Sequence, residues 1–288
     1  MAHLLVLLAT ALVAGSFVAS AGLAGTISPF SLTALRFGLA SAALLPWVLA
    51  RGARRRAFVS ALPRAGAISF FFAAFFACQF EALETTTALN TGALYTLVPF
   101  LTALLCLVLL RQRLTGRQLA VYLLGTVGTA WVVFRGDLDR LLGFELLPGD
   151  PLFLLGTVIM GLYGITLRQL SRADDDRLAL VAGILLTGTF WMAVALAVSG
   201  DALGWERLGA GDAFAMTYLV VGATLLTVPL YQASTMTLGP RRVMAYTYLT
   251  PGLVALLELA LHGTPVAPRV LPGLGLSVLA TIWLQRED

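Results

Sequence analysis

The sequence predicts an all-α integral membrane protein: ten transmembrane helices arranged as two inverted five-helix repeats. Three observations predict it. The 288-residue chain is 59% hydrophobic and 12% charged, with a mean hydropathy of +0.88, whereas a soluble domain carries about 25% charged residues. The chain also divides into ten apolar stretches near the length of about 20 residues that a helix needs to cross the hydrocarbon core. Finally, Ala93-Leu94-Tyr95-Thr96-Leu97-Val98-Pro99 is repeated 152 residues later as Ala245-Tyr246-Thr247-Tyr248-Leu249-Thr250-Pro251.

The spans follow in chain order. Span one (3–24) has a small-x-small form at Ala19-Ser20-Ala21 but lacks a basic leader and exceeds a signal-peptide core, so it reads as a mature helix. Span two (30–50) carries Arg36 near its start, and span three (65–83) carries Phe70, Phe71, Phe72, Phe75 and Phe76, then Gln79. Span four (87–110) contains the first Tyr/Thr–Pro segment, and span five (117–134) contains Thr129 and Trp131. Spans six (151–170), seven (178–198) and eight (213–237) supply Tyr163, Tyr231 and Gln232. Span nine (242–262) contains the second Tyr/Thr–Pro segment, and span ten (268–285) contains Thr281 and Trp283. All are apolar on every side, which excludes the alternating strands of a barrel. Cys78 and Cys106 fall inside spans and read as free thiols.

The basic residues set the topology. All 19 are Arg, and 14 fall on one side, in the connections after spans two, four, six and eight and at the C-terminus. Arg135, Arg140, Arg207 and Arg269 lie on the other side. The positive-inside rule then puts both termini in the cytoplasm. The net charge of +4 reflects this orientation and contact with lipid headgroups; nucleic acid as a partner is excluded, because no solvated basic domain exists.

The duplication extends through the chain. Thr129 and Trp131 match Thr281 and Trp283 at the same offset, Phe80-Glu81-Ala82 matches Tyr231-Gln232-Ala233, and Gly15 and Phe17 match Gly161 and Tyr163. The repeats are 1–136 and 151–288, joined by a polar periplasmic linker at 137–150. With five spans in each, the second copy inserts upside down.

The chain resembles the drug/metabolite transporter superfamily, specifically proteins with two EamA-type halves. The resemblance rests on Gly15-Ser16-Phe17, Arg36, the Ala88–Pro99 stretch and Arg113-Leu114-Thr115. The Glu that usually precedes this last motif is replaced by Gln112, and by Thr264 in the second copy. The resemblance implies a carrier without cofactors, and the many aromatics resemble bacterial exporters of aromatic amino acids. A multidrug or other metabolite exporter of the same fold is the alternative, and monomer and homodimer both stay open.

In such a fold the site lies at mid-membrane between the halves. The candidates for substrate contact are Phe17, Gln79, Tyr95, Thr96, Tyr163, Tyr231, Gln232, Tyr246 and Tyr248. Buried hydroxyls and amides need partners in a dry bilayer, and a small amphipathic solute supplies them. Pro99 and Pro251 are the hinge candidates; each removes a backbone N–H, which would free the carbonyls of Tyr95 and Thr247. Glu81 and Glu258 are candidates for a coupling proton, the competing account being that they snorkel or pair near the interface. With nearly every Arg at a span end, the core lacks a fixed cation for a phosphate, which favours a neutral or zwitterionic solute with an aromatic or apolar side chain.

Other chemistries lack their residues. Gly209-Ala210-Gly211-Asp212 has the GxGD form of intramembrane aspartyl proteases, but Asp137, Asp150, Asp174 and Asp201 all read as loop residues, so no second aspartate faces it. Asp212 reads as a helix cap, and the chain has neither an HExxH sequence nor a metal-spaced His/Cys group. The protein is expected to be neither an enzyme nor a metalloprotein. Channels tend to build their filters from several subunits, which favours a carrier here.

Overall fold

The computed structural model describes residues 1–112 and 115–285, and only the backbone of Gln232, Pro240, Arg241 and Leu284. Its regular structure is entirely helical. The first half contains α1 (Ala2–Leu23), α2 (Pro29–Leu49), α3 (Gly52–Leu83), α4 (Ala88–Tyr95), α5 (Val98–Leu110) and α6 (Gly116–Val133). After the short α7 (Leu138–Leu142) come α8 (Asp150–Leu170), α9 (Arg177–Ser199), α10 (Ala210–Thr217) and α11 (Thr227–Leu238). The chain ends with α12 (Pro240–Ala245), α13 (Thr250–His262) and α14 (Leu271–Gln285). Among the described residues, eight continuous or nearly continuous helices are long and apolar enough to cross a membrane: α1, α2, α3, α4–α5, α8, α9, α10–α11 and α12–α13. The protein is therefore a multi-pass membrane protein. The less apolar α6 and the shorter α14 pack against each other.

Two expectations about the connections are corrected. Span three begins at Gly52 rather than near residue 65, so the Arg-rich stretch after α2 is helix. Arg and Ala are strong helix formers, and the extension has a partner to hold it. Arg64 grips Asp175 with two nitrogens at 2.8 Å and also donates to the Leu170 carbonyl, while Arg54 meets Asp176 at 3.0 Å. The hydrogen bonds from Arg64 hold the Asp175 carboxyl below the usual carboxylate range. Asp150, expected in the linker, is instead the first residue of α8 and is buried. It accepts from Thr86 Oγ1, from Asn90 Nδ2 at 3.0 Å and from the Leu147 N–H at 3.0 Å. These three groups satisfy a carboxylate that could not otherwise be buried. They pin the start of α8 to the start of α4. Asp212 does act at a helix start, its carboxylate accepting from the Gly209 N–H at 2.9 Å.

The core is made by helices from both halves. α3 lies along α8 and α9, and α2 also packs on α9. α1 packs on α11, on α13 and on a π-helical stretch, Tyr218–Leu226, that joins α10 to α11. Gly15 permits that last approach. A Cβ there would overlap the Tyr218 ring, whose hydroxyl donates to the Leu12 carbonyl at 2.9 Å.

Candidate functional site

Four rings from four helices meet in the interior. Phe17 of α1 lies 5.3 Å from Tyr95 at the end of α4 and 6.0 Å from Phe153 of α8. Phe75 of α3 completes the group, 6.0 Å from both Tyr95 and Phe153. The spacings suit edge and tilted ring contacts, which add to the burial of the rings themselves. The aromatic wall continues along α3. Phe76 lies 5.0 Å from Phe75, Phe72 lies 5.0 Å from Phe76, and Tyr163 of α8 stacks on Phe72 at 4.6 Å. The sequence candidates Phe17, Tyr95 and Tyr163 thus share one aromatic wall, while Tyr231 lies on α11.

Gln79 lies one helical turn from Phe75 and Phe76. It is buried, and neither its amide nitrogen nor its amide oxygen has a partner among the described residues. A buried amide left in this state costs free energy.

The other candidates lie elsewhere. The Thr96 hydroxyl is shared with Thr129 of α6 and donates to the Ala93 carbonyl at 2.8 Å, so it fastens helices together. Tyr246 donates to, or accepts from, His3 Nδ1 at 2.7 Å at the start of α1. Tyr248 is buried at the α6–α14 seam with Val121 and Ala280, its hydroxyl without a hydrogen-bond partner among the described residues. The Gln232 side chain lies outside the described residues, as do Arg113 and Leu114 of the last sequence motif. Glu81 is exposed. Glu258 pairs with His262 at 2.9 Å, one turn away on a partly exposed face. Both carboxylates are outside the aromatic group.

The proline segments depart from α geometry where expected. α4 stops at Tyr95, and α5 restarts at Val98 with Pro99 in its first turn. α12 gives way to a 3₁₀ turn, Tyr246–Leu249, and α13 restarts at Thr250 with Pro251 in its first turn. No backbone N–H among the described residues reaches the Tyr95 carbonyl across the break. The Thr247 carbonyl, expected to be free as well, accepts from the Thr250 N–H because the tighter turn supplies a nearer donor.

Arg36 is the residue that sequence reasoning misplaced. It was expected near a span end, leaving the core without a cation. It is instead only 2% exposed and heads the largest fully buried side chains. Its guanidinium carbon lies 4.1 Å above the Phe76 ring, and its Nε donates to Thr224 Oγ1 at 3.1 Å. The available signal was Pro29, the first residue of α2, which puts Arg36 two turns inside the helix.

Comparison with known proteins agrees with this architecture. Residues 1–134 match the EamA-like transporter family. A Pseudomonas aeruginosa protein named "Uncharacterized protein PA1977" is 32% identical, covering 98% of this chain and 92% of its own length. A Bacillus subtilis protein named "Uncharacterized transporter YyaM" is 24% identical over 84% of this chain and 79% of its own. One solved crystal structure shares the fold, with a TM-score of 0.67 at 23% identity, covering 97% of this chain and 95% of that one. The chain belongs to the EamA-like transporter family of the drug/metabolite transporter superfamily.

Proposed function

We propose that this transporter is a ten-helix inner-membrane carrier that exports small amino acids with aromatic or apolar side chains. α6 and α14 supply the fifth and tenth spans, and the two halves form an inverted repeat with both termini in the cytoplasm. One observation carries the substrate reading: the box formed by Phe17, Phe75, Tyr95 and Phe153, with the unpartnered Gln79 amide one turn away. Such a site takes a flat or apolar side chain against its rings and a polar head at its edge.

Packing supports alternating access. In an inverted repeat the contact of span three with span seven corresponds to that of span eight with span two. α3 lies along α9, whereas α2 meets the eighth span chiefly at its π-helical stretch. Between α2, α9 and α11 there remains a cleft of about 260 Å³, with the exposed Arg177 at one end. One side is closed and its counterpart open, as a carrier caught at one end of its cycle requires.

The test is a substrate screen in proteoliposomes, run with and without an imposed proton gradient. Saturable uptake with counterflow of phenylalanine, tyrosine or leucine is the expected result. Ohmic flux without saturation would sink the carrier. Saturable transport confined to phosphorylated or polyanionic solutes would sink the substrate class.

A further inference from the structure

Arg36 stands out as a buried cation inside a helix apolar enough to cross a membrane, with no anion paired to it among the described residues. Among the described residues no carboxylate forms an ion pair with it, and its buried Nη1 has no hydrogen-bond partner. A charge at this depth is costly unless it pairs, and side chains that persist there mark a ligand path. The Phe76 face and the Thr224 hydroxyl hold the guanidinium in place. Neither neutralises it.

The local structure explains how Thr224 reaches it. In the π-helical stretch the Thr224 hydroxyl donates to the Leu219 carbonyl, five residues back, at 2.8 Å. Its lone pair is then turned to accept from Arg36 Nε. Such π stretches inside α-helices recur at functional sites. Thr224 also lines the cleft between α2, α9 and α11, whose walls include Leu44, Val181, Leu225 and Val228. The guanidinium is thus one hydrogen bond, through Thr224, behind the wall of an apolar cleft. On its other side, Phe76 leads through Phe75 to Tyr95 and Phe153.

We infer that Arg36 binds the substrate's carboxylate at the inner end of the α2–α9–α11 cleft, with Nη1 as the free donor. This deepens the proposed function, on which the identity of the rest of the substrate rests. A carboxylate accepts charge-assisted hydrogen bonds from a guanidinium and cancels its charge. The substrate's apolar part then meets the aromatic wall around Phe75 and Phe76. A single buried guanidinium balances one carboxylate, so the ligand class is monocarboxylates with an apolar or aromatic body, amino acids included.

The experiment uses the full chain in detergent and in proteoliposomes. The probes are 3-phenylpropionate, its neutral counterpart 3-phenylpropionamide, and L-phenylalanine. Thermal stabilisation reads binding, and counterflow reads transport. The wild type should bind the carboxylate at least about tenfold more tightly than the amide, the contribution expected of a hydrogen bond to a charged group. Arg36→Gln should bind both equally weakly, and Arg36→Lys should keep part of the preference. Leu44→Trp, which fills the cleft and leaves Arg36 in place, should lower carboxylate binding even if Arg36→Gln does not fold. A wild type that binds neither probe or does not distinguish them overturns the inference. So does an Arg36→Gln variant that keeps the preference, or a Leu44→Trp variant that binds like wild type. Carboxylate preference without amino-acid transport would sink the proposed function alone; amino-acid counterflow without that preference would sink the Arg36 anchor alone.

Discussion

The two Tyr/Thr–Pro segments share a backbone and differ in chemistry. At the 152-residue offset, Tyr95 corresponds to Thr247, Thr96 to Tyr248 and Leu94 to Tyr246. Both segments leave α geometry just before the proline, and both restart with it in the first turn. Only the first places an aromatic in the ring group, through Tyr95. The second uses its tyrosines for assembly, Tyr246 against His3 and Tyr248 in the α6–α14 seam. The shared backbone follows from the missing proline N–H, which any side chain tolerates. The side chains differ, and only the first segment contributes a ring to the aromatic group.

The largest expected effect breaks the second segment. A Cβ at Gly125 of α6 would overlap the Tyr248 ring. Gly125→Val should therefore destabilise the protein by about 1–3 kcal/mol, the usual range for overpacking. Thermal unfolding of purified protein measures it. Adding Tyr248→Ala should recover part of the loss, whereas Thr96→Ala should recover none. Equal recovery would mean that the two segments are not divided between seam and site.

Next in size is the transport contrast. Tyr95→Ala removes ring contacts to Phe17 and Phe75, each worth about 0.5–1.5 kcal/mol, and should cut counterflow on the order of tenfold without loss of expression. Thr247→Ala, at the matching position, should stay within about twofold of wild type, since it removes no ring contact. Tyr246→Ala should behave like His3→Ala, because the two side chains act as one contact. If Thr247→Ala cost as much as Tyr95→Ala, the site would be symmetric after all.

How much of this was legible in the sequence follows from which signals are local. Proline and hydropathy act on their own stretch of chain, so eight of the spans and the helix breaks at 95–98 and 246–250 could be read directly. Side-chain direction depends on neighbours that no repeat offset reveals. Thr96 and Tyr248 look like site residues until α6 is seen beside them. Arg36 looked peripheral because its depth depends on where α2 starts and on the π stretch that meets it. Asp150 looked like loop because Thr86, Asn90 and Leu147, which satisfy it, are dispersed in the sequence.

The smallest expected effect concerns the same pair of matching positions, and its sign differs between them. Thr96 shares a hydrogen bond with Thr129, while the buried Tyr248 hydroxyl has no partner among the described residues. Thr96→Val should destabilise by about 0.6 kcal/mol, the average for an interhelical hydrogen bond in a membrane protein. Tyr248→Phe removes a hydroxyl that is desolvated without compensation, so it should be neutral or stabilising by up to about 1 kcal/mol. Its ring, which fills the space over Gly125, is kept. Unfolding of the two variants under identical conditions compares them. Destabilisation of both by similar amounts would mean that the Tyr248 hydroxyl finds a partner at the seam. The second segment would then fasten its helices by the same kind of bond as the first.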